Sequence, residues 1–172
     1  DHPDQLWVAD FTYIQTHSGW VYTAFIIDVF SRAIVGWKVS TRMNTDMVLD
    51  ALEQALHDRG MPKNVIHHSD RGVQYLSIRY TNRLEAANLR ASVGTTGDSY
   101  DNALAETVNG LYKTEVIEYL KADWQGLADV QLATLNWVDW FNKERVHSAL
   151  GYVSPFEFEA MYYDKINPLG QV

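Results

Sequence analysis

Three apolar segments open the chain. Residues 6–16, 20–30 and 33–39 are each rich in Trp, Val, Ile, Phe and Tyr, and they are parted only by His17-Ser18-Gly19 and by Ser31-Arg32. Segments of this kind with short turn-forming spacers predict an antiparallel meander of strands. The pattern then changes period. Val48, Leu52, Ala55 and Leu56 share one face at helical spacing, with Asn44 or Thr45 available as N-cap and Gly60 and Pro62 as terminators. A strand is expected at 65–70, a helix at 77–88 and another strand at 90–93. Residues 94–99, with two glycines among small polar residues, read as a flexible loop. Long helices are expected at about 101–120, with Asp101 in the N-cap position, and at about 126–143. A last one starts at Ser154-Pro155, a good N-cap and N1 pair. Three strands, then alternating helix and strand, then helices predict one α/β domain over residues 1–172, a mixed sheet flanked by helices.

Within this frame two acids stand out. Asp10 falls mid-strand between Val8, Phe11 and Tyr13, where an uncompensated charge is expensive. Asp70 ends the Val65-Ile66 strand and precedes Arg71-Gly72, so it reads either as a turn former or as a functional group at a strand end. Asp28, which also ends a strand, reads as pairing locally. On the long helix from 101, Leu104, Ala105, Val108, Leu111, Tyr112, Val116 and Tyr119 form an apolar stripe. Asn102, Glu106, Asn109 and Lys113 gather roughly opposite. That second stripe reads as a solvated face or as a ligand face with a phosphate-seeking ammonium at Lys113, and periodicity does not separate the two. Asp70 and Glu106 are separated by 35 residues. Among 22 acidic residues about two pairs would show that spacing by chance, so context must decide. If two or three such carboxylates converge, they offer the hard oxygen ligands that metal-assisted phosphoryl transfer requires.

Composition narrows the choice. No apolar run approaches the roughly 20 residues of a membrane helix, and Asp28 interrupts the most apolar stretch, so no membrane partner is expected. The absence of Cys excludes disulfides and thiolate metal sites and is compatible with the cytoplasm. Six scattered His do not form a zinc pattern, and the six Trp read mostly as core. A net charge of −8 opposes DNA binding, which draws on Lys and Arg. Bound metal ions, or a basic domain outside a chain that opens at Asp1, would reconcile the two.

Four segments carry a family resemblance. Trp7-Val8-Ala9-Asp10-Phe11-Thr12-Tyr13-Ile14, His67-His68-Ser69-Asp70-Arg71-Gly72-Val73-Gln74-Tyr75, Tyr100-Asp101-Asn102-Ala103-Leu104-Ala105-Glu106 and the closing stretch 140–155, with Arg145 and His147, resemble the integrase core of bacterial insertion-sequence transposases. They are most similar to the second-reading-frame type of the insertion sequence three family. The resemblance runs from about Trp7 to Glu159. It implies a ribonuclease-H-like fold with a five-stranded mixed sheet and a catalytic, metal-binding triad of Asp10, Asp70 and Glu106. It also implies two Mg²⁺ ions, for which Mn²⁺ could substitute, and DNA nicking followed by strand transfer between element ends and target DNA. An upstream DNA-recognition domain, a homo-oligomer in the active DNA complex and a nucleoid-associated cytoplasmic location complete the expectation. After Glu106 the family often has Ser-Phe-Phe, whereas this chain has Thr107-Val108-Asn109, a departure that bears on subgroup.

Lys113, Asn102, Asn109, His68 and Arg145 are the expected DNA contacts. His67 and His68 alternate in direction, so only His68 shares the side of Asp70. Arg145 and His147 could equally tie the C-terminal segment to the core. Two rival functions remain, a ribonuclease-H-like nuclease that only hydrolyses and a non-catalytic assembly subunit. The intact acid set disfavours the second.

Overall fold

The computed structural model describes residues 1–69, 78–93, 99–118 and 123–167. Five strands form one sheet: β1 (Leu6–Thr16), β2 (Gly19–Asp28), β3 (Ile34–Ser40), β4 (Ile66–Ser69) and β5 (Arg90–Val93), in the order β3-β2-β1-β4-β5. β1, β2 and β3 are the expected antiparallel meander, whereas β4 and β5 join parallel to β1. The sheet is therefore mixed and five-stranded, as expected. The 94–98 stretch of the expected loop lies outside the described residues.

Alternation along β1 divides the core. Trp7 and Ala9 face one layer with Ala24, Ile26 and Val35, and α1 (Thr45–Asp58) covers it through Met47, Val48, Ala51, Leu52, Ala55 and Leu56. Tyr80 and Leu84 of α2 (Ile78–Ala86) close this side. Val8 and Ile14 face the opposite layer with Phe25 and Ile27. There α3 (Ser99–Tyr112) and α4 (Leu127–Lys143) supply Leu104, Val108, Tyr112, Trp137 and Phe141. Burying a side chain of this size contributes about 1.5–3 kcal/mol, so the two stripes hold the layers together. At Gly36 an added Cβ would meet the Ala51 carbonyl oxygen at 2.3 Å, which is how α1 lies so close to β3.

Helix ends follow local chemistry. The Asn44 carboxamide accepts from the Met47 N–H at 3.1 Å, and Ser154 and Glu157 form a reciprocal capping box before Pro155 of α5 (Pro155–Ile166). The helix expected at about 101–120 differs in two ways. It begins at Ser99, so Asp101 lies inside the first turn instead of at the N-cap. Beyond Tyr112 it continues as a π-helical segment, Lys113–Glu118. Wider π turns depart from the 100° step on which a helical stripe is drawn, so the face read from periodicity holds only as far as Tyr112.

Asp28 pairs locally, as expected, but it is also wholly buried. It accepts hydrogen bonds from the Asp4 N–H at 2.8 Å and from the Ser31 N–H at 2.9 Å, and its burial pushes its pKa upward. Nearby, Arg59 forks onto Glu159 at 2.8 and 2.6 Å and reaches Asp4 at 2.8 Å. These groups tie the N-terminal segment, the end of α1 and α5 to one point. Of the Trp residues expected in the core, Trp20 and Trp140 are instead exposed, at 49% and 41%.

His67 lies on the α1–α2 side, where the Tyr80 hydroxyl and its Nε2 are 2.7 Å apart. Burial holds its pKa down from 6.5 to about 4, so the folded protein keeps it neutral. Between those values the unfolded chain binds a proton that the folded chain does not. Stability is therefore complete above pH 6.5 and falls as the pH drops towards 4. His147, also lowered to about 4 by burial and Arg145, acts in the same direction. We expect His67 to contribute a loss of about 2 kcal/mol between pH 7.5 and pH 5. Urea unfolding at the two pH values should show a smaller loss in His67→Gln; an unchanged pH dependence in that variant would contradict the assignment.

Candidate active site at the open end of the sheet

The described pairing of β1 with β4 runs to Ala9↔Ser69, and β1 runs to Thr16 alongside β2. Asp10 is the first residue of β1 beyond that parallel pairing. Its register partner Phe25 belongs to the α3–α4 layer, so the Asp10 side chain stands on the α3 face. Asp70, the residue after Ser69 in the chain, lies outside the described residues, as do Gln74 and Tyr75. Open α/β sheets place their ligand sites outside the carboxyl ends of their parallel strands.

The Asp10 carboxylate is anchored from two directions. Oδ1 accepts from the Phe11 N–H at 2.8 Å, and Oδ2 accepts from Nδ2 of Asn109 at 2.9 Å. The same Nδ2 lies 3.4 Å from the Phe11 carbonyl oxygen. Four residues on, the Lys113 ammonium sits 5.3 Å from the centroid of the Tyr13 ring. Tyr112 meets Thr23, the partner of Thr12, at 3.1 Å. These contacts show that α3 advances along β1 in the direction of the strand. Glu106 is one turn before Asn109, a rise of about 4.5 Å, and therefore lies towards the Ala9–Ser69 end. Its side chain is exposed.

The other expected residues are placed as follows. His68 pairs with Val8 and so shares the Asp10 face, although it is 2% exposed; His67 points to the other layer. Asn102 belongs to α3. Lys113 carries its charge to the Tyr13 ring. Arg145 does not approach this end: its Nε and Nη2 grip Glu115 at 3.1 and 2.7 Å. Trp137 Nε1 donates to the same carboxylate at 3.1 Å. Arg145 thus makes the tie to the core that was one of its two sequence readings. The Arg145 and Trp137 bonds also hold the Glu115 pKa below its ordinary value against the effect of burial. Glu115 is thus committed to structure, whereas Glu106 is exposed on the side of Asp10. Among the described residues no three His, Asp or Glu side chains cluster closely enough to hold a metal ion, and two of the three expected ligands, Asp10 and Glu106, are on the α3 side. Sequence reasoning treated Asn109 as a DNA contact; its bond to a residue 99 positions away has no local signal.

An integrase core domain profile matches residues 1–99 and a second integrase core domain profile matches residues 87–155. This chain belongs to the integrase core domain family. It is 58% identical over 166 residues to the transposase for insertion sequence element IS629 of Shigella sonnei, covering 96% of this chain and 55% of that protein. It is 40% identical over 159 residues to the transposase InsF for insertion sequence IS3A of Escherichia coli K12, covering 91% and 54%. The chain thus spans about half the length of the curated relatives it matches. In fold it resembles the magnesium-bound HTLV-2 integrase catalytic core domain, with a TM-score of 0.71 at 18% identity over 92% of this chain and 97% of that one. It also resembles a chain of the simian T-cell lymphotropic virus intasome in complex with the PP2A regulatory subunit B56 gamma, with a TM-score of 0.76 at 17% identity over 92% and 55%. The fold is the ribonuclease-H-like one. No described helix is long and apolar enough to cross a membrane.

Removing the Arg145 side chain leaves the part-buried Glu115 carboxylate without its guanidinium partner. Arg145→Ala is expected to cost about 1–3 kcal/mol in urea unfolding. Glu115→Gln should lose stability on the same scale yet bind Mg²⁺ as the unaltered chain does; weakened Mg²⁺ binding in calorimetry would make Glu115 a ligand.

Proposed function

We propose that this chain is the catalytic core of an Asp-Asp-Glu transposase, nicking DNA at element ends and joining the freed 3′ ends to target DNA. The observation that carries this reading is Asp10. It is a carboxylate inside a central strand, held by Asn109 of α3, and it follows the Ala9↔Ser69 pair whose second member precedes Asp70 in the chain. Three carboxylates, Asp10, Asp70 and Glu106, would hold two Mg²⁺ or Mn²⁺ ions. The donor set fits hard divalent cations: it is all oxygen, the chain has no Cys, and His67 is taken up by Tyr80. When bound, the ions would activate the attacking hydroxyl and stabilise the charge that develops on the phosphate.

The chain's own groups do the rest. Phe11 and Asn109 hold Asp10 in one orientation, so the first ligand is preorganised. Glu106, exposed on α3, is open to a phosphate backbone approaching from solvent. No protein nucleophile is required, because water attacks first and the freed 3′-hydroxyl second. A net charge of −8 makes the core a weak holder of DNA. Recognition of the element ends is therefore assigned to a basic domain preceding this one in the complete protein, with two or more copies assembled on the DNA. A purely hydrolytic nuclease would share the acids but yield no joined product.

Glu106→Gln keeps the side-chain volume and removes the charge. In the full-length protein it should abolish both nicking and joining on element-end DNA in Mg²⁺, with its circular dichroism unchanged. A wild-type nicking rate in that variant would end the proposal. The 172-residue chain alone should bind duplex DNA feebly and with a shallow salt dependence, since few phosphates would be neutralised. Tight, sequence-specific binding of element ends by this chain would remove the case for a separate recognition domain.

A further inference from the structure

Asn109 is the one polar residue of α3 whose side chain is bonded to β1 at the candidate site among the described residues. Its amide is unambiguous in orientation. With nitrogen and oxygen exchanged, Oδ1 would face Asp10 Oδ2 at 2.9 Å and the Phe11 carbonyl at 3.4 Å, setting three acceptors together. As placed, one NH₂ group serves both. The arrangement leaves Asn109 Oδ1 buried with no hydrogen-bond partner. An unpaired buried acceptor is unfavourable, and its persistence calls for a compensating role.

The position of that bond supplies one. Both backbone groups of Phe11 bond to side chains at the site: its N–H donates to Asp10 and its carbonyl accepts from Asn109. The Asn109 amide therefore fastens α3 to the strand at the residue that bears the carboxylate. Since Glu106 is three residues earlier on the same helix, fixing Asn109 fixes how Glu106 stands relative to Asp10. Thr107, between them, spends its hydroxyl on the Ala103 carbonyl at 2.8 Å and takes no part.

We infer that Asn109 is a positioning residue that orients the Asp10 carboxylate and sets its spacing from Glu106 for metal binding, instead of contacting DNA. This rests on the metal-dependent reading above. Outer partners of ligating carboxylates typically control metal affinity by 10–100-fold.

The test is calorimetric titration of the DNA-free chain with Mg²⁺ and with Mn²⁺, beside the Mg²⁺ dependence of nicking by the full-length protein. Asn109→Ala, which favours helix, and Asn109→Leu, which keeps the volume, both remove the amide. Each should weaken metal binding by about tenfold or more. Each should also raise the Mg²⁺ concentration for half-maximal nicking to match, with activity returning at high Mg²⁺. Thr107→Ala should change neither. Unaltered metal affinity in both Asn109 variants, with DNA binding weakened instead, would make Asn109 a DNA contact and overturn the inference. If the unaltered chain takes up no metal and Glu106→Gln titrates identically to it, the metal-dependent reading itself falls.

Discussion

Everything at this end of the molecule follows from a charge placed inside a sheet. Asp10 stands on the α3 face of β1, the strand at the centre of the order β3-β2-β1-β4-β5. A carboxylate in the middle of a fully paired strand, under a helix, would be desolvated at heavy cost. The cost is contained because the carboxylate is hydrogen-bonded, by one backbone N–H and one side-chain amide. The Phe11 N–H stabilises Asp10, and the Phe11 carbonyl helps to hold Asn109. Backbone groups of the strand itself thus help to fix an anion.

The two layers contribute differently to this arrangement. Beneath the sheet, α1 approaches closely enough to need Gly36, and its apolar face is continuous from Met47 to Leu56. That side is rigid support. Above it, α3 combines packing and chemistry: Leu104, Ala105, Val108 and Tyr112 are buried, while Glu106 and Asn109 occupy the strip towards the open end. The π-helical segment then redirects the chain so that Glu115 meets Trp137 and Arg145. One helix therefore carries two acids with opposite assignments. Glu115 spends its charge on holding α4 and the C-terminal segment, and Glu106 keeps its charge open to solvent.

Much of this was legible before the structure. The meander, the Asn44 and Ser154 caps, the strand-borne Asp10 and the opposite facing of His67 and His68 all follow from patterns within a few residues, because turns, caps and alternation are local physics. The family motifs bring the fold and the acid set with them. What was not legible depends on partners far along the chain. Arg145 reads as either a DNA contact or a tie until Glu115, 30 residues earlier, is seen beside it. Asn109 reads as a polar residue on a polar stripe until the stripe is laid against Phe11 and Asp10. A helical stripe shows which side chains point together and is silent on what they point at. The shift to π geometry after Tyr112 likewise carries no compositional mark.

The charge balance completes the physical argument. A surface with a net charge of −8 repels a phosphate backbone, and Arg59 and Arg145 are already paired with Glu159 and Glu115. Lys113 carries its ammonium over an aromatic face in place of the candidate site. The described part of the site thus presents carboxylates with little fixed positive charge of its own, which is a poor surface for DNA and a good one for divalent cations. On the proposed reading, cations held there would reverse the local sign where phosphate approaches. Approach of DNA to the acids would then depend on prior metal occupancy, and firm attachment on basic groups elsewhere in the assembly. On the proposed reading an acidic core of this kind would separate chemistry from grip, with phosphate favoured at the candidate site only once divalent ions are held there.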